Sequence, residues 1–124
     1  NIYESSPWGV DKQSNYLNQI LLVETNCTVK SVLVNALKIE NIIGRKRDVK
    51  WSARVIDIDI IFFNNAIVES PELCVPHKYM HKRNFVLIPL NEIASKYIHP
   101  IYKKNVETLL DECQDLGKVT KYEV

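Results

Sequence analysis

The run Arg54-Val55-Ile56-Asp57-Ile58-Asp59-Ile60-Ile61-Phe62-Phe63 limits this chain more than any other stretch, because it sets two carboxylates two positions apart in a β-branched, apolar setting. Such a composition favours a strand, and side chains alternate across a strand. Asp57 and Asp59 then share one side while Ile56, Ile58, Ile60 and Phe62 take the other. Two ionised carboxylates this close repel and resist desolvation unless water or a cation meets them. One reading is a half-exposed strand with a solvated acidic side. The other is a magnesium site, since that hard ion takes one or two carboxylates and completes its shell with water and phosphate oxygens.

The residues just upstream favour the second reading. Arg45, Lys46, Arg47, Lys50 and Arg54 place five cations within ten positions before the acid pair. Guanidinium forks match phosphate geometry, so an acid pair beside a cationic loop has the composition of a nucleoside triphosphate site. A solvated charge run is the rival reading for 45–50. Trp51 reads either as a lid that excludes water or as plain core packing.

A chain of 124 residues is expected to form one domain, burying roughly two-thirds of its unfolded surface. With 25% charged residues and a net charge of +1, no overall field draws it to nucleic acid or to a membrane. No apolar run approaches the ~20 residues that span a bilayer. Cys27, Cys74 and Cys113 are far apart and form no Cys-x-x-Cys pair, so they are expected as free thiols in a reducing cytoplasm. The chain opens at Asn1, in a segment that reads as the end of a strand entering the turn Pro7-Trp8-Gly9, and a beginning lost upstream is expected.

Further along, Tyr16 to Glu24 reads as a strand. Thr28 can cap a helix to about Ile43, with Val29, Val32, Leu33, Ala36 and Leu37 as its apolar stripe and Gly44 at its end. The acid-bearing strand should close at an Asn64-Asn65 turn. Pro71 and Pro76 mark a long irregular connection. Phe85 to Leu90 forms an apolar segment, with Pro89 opening a helix over 90–97, and Asn105 caps a last helix that buries Val106, Leu109, Leu110 and Cys113. Strands alternating with helices indicate an α/β or α+β sandwich.

Four blocks in this order resemble the 6-hydroxymethyl-7,8-dihydropterin pyrophosphokinases of folate biosynthesis. They are Pro7-Trp8-Gly9 with Tyr16-Leu17-Asn18; Gly44-Arg45-Lys46-Arg47; Trp51-Ser52-Ala53-Arg54 through Asp57-Ile58-Asp59; and Val75-Pro76-His77 through Arg83-Asn84-Phe85. The resemblance implies a ferredoxin-like fold with a small, largely antiparallel sheet, and transfer of pyrophosphate from ATP to the pterin hydroxymethyl group with release of AMP. It implies that Asp57 and Asp59 hold two magnesium ions and that Arg45, Arg47 and Arg54 clamp the triphosphate. Glu40, Trp51, His77 and Arg83 are expected to face ATP. Tyr16 and Phe85 match a pair that stacks on the pterin, Asn18 an amide that reads its edge, and the backbone near Ser6 and Trp8 completes that pocket. A core role for Tyr16 and Phe85 is the plainer alternative.

His77 and His81 stand four apart, yet Pro76 precedes the first, no intervening glutamate completes a zinc-protease motif, and no third ligand is apparent. His81 and His99 are expected at the surface. Three departures from the family pattern are visible: Lys78 where an aromatic is common, Asn84 for a glycine beside Phe85, and Ser52-Ala53 for Gly-Pro. The family's opening strand, turn and first helix have no counterpart. A small monomer with no nucleic-acid or membrane partner is expected. The rivals are a metal-dependent nucleotidyltransferase, which releases pyrophosphate instead of AMP, and a noncatalytic nucleotide-binding fragment.

Overall fold

The computed structural model describes residues 1–5, 16–44 and 56–123. The described residues form an α+β fold of short antiparallel sheets and three helices, consistent with the ferredoxin-like class. It divides into two compact units, one made of residues 1–23 and 78–124 and the other of residues 24–77.

In the first unit, β1 (Tyr3–Ser5) lies between β2 (Tyr16–Asn18) and β5 (Val119–Lys121), antiparallel to both. Tyr3 pairs with Asn18 on one side and with Lys121 on the other. The strand expected over 16–24 ends at Asn18, because β1 offers partners only to Tyr16, Leu17 and Asn18. Beyond it, Leu21, Leu22 and Val23 are exposed.

A short 3-10 turn (Met80–Lys82) leads into α2 (Asn84–Ala94), which packs against all three strands, and α3 (Val106–Glu112) packs on α2. Val86, Leu87, Pro89 and Leu90 are buried along α2 and meet Met80, Val106 and Leu109 in the core of this unit. The expectation that Pro89 opens a helix at Leu90 is corrected: the helix starts at Asn84 and carries Pro89 inside. In a 13-atom-ring helix a proline there forgoes the bond to the Phe85 carbonyl and crowds that carbonyl, a cost that burial of the surrounding apolar side chains offsets. Asn105 caps α3 as expected, its Oδ1 accepting the Thr108 N–H at 2.8 Å.

In the second unit, Thr28 caps α1 (Val29–Gly44): its Oγ1 accepts from Ser31 N–H at 3.2 Å and its carbonyl from Val32 N–H at 3.0 Å. Val29, Val32, Leu33, Ala36 and Glu40 form the covered face. Leu37, expected in that stripe, is 50% exposed, because it lies one step around the helix from Ala36.

The described part of the acid-bearing run, 56–63, forms no strand ladder among the described residues, which corrects the expected strand. It leads to a turn at Asn64-Asn65, where Asn64 takes φ 51° and the Phe63 carbonyl accepts the Ala66 N–H at 3.0 Å. The connection expected to be irregular contains a small hairpin, β3 (Val68–Glu69) with β4 (Cys74–Val75). Pro71 falls in its turn and Pro76 just after β4, so neither proline has to donate to the ladder.

Candidate functional site

Within the unit 24–77, the residues around the acid pair keep the alternation that the sequence predicts. Asp57 and Asp59 are exposed, whereas Ile56, Ile58 and Ile60 are half-buried. Hydrogen bonds with two other parts of the chain anchor this segment. Glu40, on the covered face of α1, accepts the N–H of Ile58 at its Oε2, 2.6 Å away. That residue lies between the two aspartates, so α1 grips the backbone at the centre of the pair through a charge-assisted bond. The second bond runs from the His77 N–H to the Ile61 carbonyl at 3.0 Å, which sets His77 beside the same segment. Glu40, through its carboxylate, and His77, through its backbone N–H, therefore both bond the segment that carries Asp57 and Asp59.

The other unit carries Tyr16, Asn18, Arg83 and Phe85. Tyr16 and Asn18 sit opposite Ser5 and Tyr3, and cross-strand partners share a face of the sheet. Tyr3 donates its phenol to Glu92 of α2, so this is the face that α2 covers. The same bond raises the Tyr3 pKa above its ordinary value, with burial adding to it, and holds the Glu92 carboxyl below the usual carboxylate range. Asn18 Nδ2 donates to Ser5 Oγ at 2.8 Å, which orients the amide. Tyr16 is 51% exposed, too open for a core aromatic.

Phe85 stands in the first turn of α2 and is half-buried. The Arg83 guanidinium lies 5.6 Å from its ring centre and 5.5 Å from that of Tyr79, while Lys78 Nζ lies 5.4 Å from Tyr79. Aromatic faces attract such cations, so Tyr79 and Phe85 hold Arg83 in a defined place.

Ser6, Trp8, Arg45, Arg47, Trp51 and Arg54 lie outside the described residues. Two histidines expected at the surface are not there. His99 is 2% exposed and His81 is half-buried, because both pack against the ring of Tyr102, at 4.5 and 4.7 Å. Among the described residues, no three His, Cys, Asp or Glu side chains gather as a metal cage. The three cysteines are free thiols.

Sequence reasoning missed Asp115, whose carboxylate bonds the backbone at the start of α2. Its one local signal is Asp115-Leu116-Gly117, an aspartate followed two positions later by a glycine, which reads only as a turn.

The chain thus combines an α+β fold, two exposed aspartates about a backbone N–H held by α1, and, in its other unit, an arginine set on aromatic rings. It belongs to the family described as 7,8-dihydro-6-hydroxymethylpterin-pyrophosphokinase, whose pattern matches residues 1–95. The chain is 39% identical, over 90% of its length, to the 2-amino-4-hydroxy-6-hydroxymethyldihydropteridine pyrophosphokinase of Aquifex aeolicus, of which it covers 69%. The proteins of the same name from Haemophilus influenzae and Bacillus subtilis are 38% and 40% identical over 81% and 77% of this chain, which covers 62% and 58% of them.

Proposed function

We propose that this chain carries the activity for which these relatives are named. Pyrophosphate passes from ATP to the hydroxymethyl group of 6-hydroxymethyl-7,8-dihydropterin, and AMP leaves, as a step of folate synthesis by a monomer in the cytoplasm. The observation that carries the reading is the exposure of Asp57 and Asp59 on either side of Ile58, whose N–H is held by Glu40.

The donor set fits magnesium. Two exposed carboxylates supply hard oxygens and leave room for water and phosphate in the shell, as a magnesium site of one or two carboxylates requires. Two ions held by Asp57 and Asp59, when bound, supply positive charge that offsets the triphosphate and the charge developing on AMP. Everything else in the step is positioning by the chain's own residues.

The pterin hydroxyl oxygen attacks the β-phosphorus, the bond from that phosphorus to the oxygen bridging to the α-phosphate breaks, and the hydroxyl proton goes to solvent. Tyr16 and Phe85 stack on the flat pterin, Asn18 reads its edge, and the backbone at Ser6 and Trp8 closes the pocket. Arg45, Arg47, Arg54, His77 and Arg83 meet phosphate oxygens, and Trp51 excludes water. Glu40 serves ATP indirectly, through the bond that fixes Ile58 between the two aspartates.

Phosphorus NMR of a mixture of the chain, magnesium, ATP and the hydroxymethyl pterin tests this directly. AMP and a pterin diphosphate are expected. Free pyrophosphate with a nucleotidylated product would establish nucleotidyl transfer instead, and binding of ATP without either product would mark a noncatalytic domain.

A further inference from the structure

The loop that follows α3 reaches back to the start of α2. Asp115 Oδ2 accepts the Asn84 N–H at 2.9 Å, and the Asn84 amide donates to the Asp115 carbonyl at 2.6 Å and to the Gly117 carbonyl at 3.4 Å. Asp115 Oδ1 accepts the Gly117 N–H at 2.8 Å. Both carboxylate oxygens are thus committed, one to the helix and one to its own loop. Arg83, the residue before α2, provides no side-chain cap, so the first N–H of the helix finds its acceptor in Asp115 from a distant point of the chain. A carboxylate there also meets the positive end of the helix dipole.

Gly117 leaves space for the Asp115 carboxylate in this loop. A β-carbon at that position would stand 3.0 Å from Asp115 Oδ1, so any side chain would press on the carboxylate. Asp115 and Gly117 lie beyond the residues 1–95 that the family pattern matches. Their partner Asn84 stands where the family commonly has a glycine.

From this we infer that Asp115 is a positioning residue for Phe85: by fixing Asn84 at both backbone and side chain, it sets the direction in which the next residue presents its ring. The inference rests on the reading of Phe85 as a pterin-stacking residue only for its effect on affinity; the positioning itself does not depend on any ligand. It predicts that the loop 115–117 affects the pterin more than ATP, because Arg83, on the other side of Asn84, is held independently by the ring of Tyr79.

The test uses the whole chain, with Asp115→Ala and Gly117→Ala, well below their unfolding temperatures. The first readout is the NMR spectrum of the Phe85 ring without ligand. Both variants should shift and broaden the ring signals, whereas the signals of Phe62 and Phe63 should stay in place. Unchanged Phe85 signals in folded Asp115→Ala would overturn the inference, as would equal changes at all three phenylalanines. The second readout is affinity for 6-hydroxymethyl-7,8-dihydropterin, expected to weaken roughly threefold to thirtyfold, as loss of a helix cap implies, with affinity for an ATP analogue within about twofold. A displaced ring with unchanged pterin affinity would uphold the positioning and remove Phe85 from the pterin site, so the two readings fail separately.

Discussion

Glu40 and His99 show how far one side chain can act on backbone. Glu40 spends an oxygen on the N–H of Ile58, and without that acceptor a half-buried N–H is left unpaired, at a cost of about 1–3 kcal/mol. Glu40→Gln keeps an oxygen acceptor and should retain most activity, whereas Glu40→Ala should raise the magnesium concentration needed for half-maximal AMP formation. Equal loss in both variants would mean that the charge itself meets the nucleotide. His99 organises the turn before α3. Its Nδ1 accepts the N–H groups of Ile101 and Tyr102 at 3.1 and 3.2 Å, its backbone bonds to Lys103 and Lys104, and Lys103 takes φ 59°. A ring nitrogen that accepts two donors carries no proton, so neutral His99 has its hydrogen on Nε2. Burial, and then the charge of neighbouring His81, lower its pKa, and burial followed by the Lys82 charge lowers that of His81. Folding therefore disfavours the protonated rings: their contribution to stability is complete above the unfolded histidine value of ~6.5 and declines as pH falls through the lower folded values. Urea unfolding between about pH 7.5 and 5 should show this decline, and His99→Phe should both flatten it and cost about 1–3 kcal/mol at neutral pH through two unpaired N–H groups.

At the scale of elements, each helix start is satisfied by a different device. Thr28 caps α1 and Asn105 caps α3 locally, while α2 borrows Asp115. Asn105→Ala should lower stability by about 1 kcal/mol, read as a drop in thermal midpoint of several degrees, because α3 packs on α2 through buried Val106 and Leu109. An unchanged midpoint would show that the packing alone holds α3. The two local caps were legible because the capping residue, the periodic apolar positions and the helix lie together in sequence. Asp115 was not, since its partner is thirty-one positions away. Distance along the chain also hid β5, whose three residues acquire their strand only by pairing with β1. The acid pair was legible as an alternation even though the strand was not: burial decides which side each residue takes, while ladder bonds need a partner that sequence does not name. Pro89 misled because a proline marks a helix start well, yet can also sit inside one whose other residues are buried.

Across the whole molecule, the residues assigned to the metal and those assigned to the pterin fall in different compact units. The metal pair Asp57 and Asp59 belongs to 24–77, with Glu40 and His77 of the ATP set, and the pterin residues Tyr16, Asn18 and Phe85 belong to 1–23 with 78–124, with Arg83 of the ATP set. The net charge of +1 leaves recognition of a polyanionic substrate to local arrangement and not to a global field. The acid pair is central to the proposed chemistry, because Asp57 and Asp59 would hold the ions that offset the charge developing on the leaving AMP. Both side chains are exposed, so their removal should leave folding intact. The decisive measurement is the initial rate of AMP formation in saturating magnesium, ATP and hydroxymethyl pterin for the wild-type chain, Asp57→Ala and Asp59→Ala, with circular dichroism on the same samples. Wild-type turnover, loss of at least about a thousandfold in each variant and unchanged spectra are predicted, since each substitution removes a ligand of the ions that offset transition-state charge. Variants that kept their fold and released AMP at the wild-type rate would contradict the account.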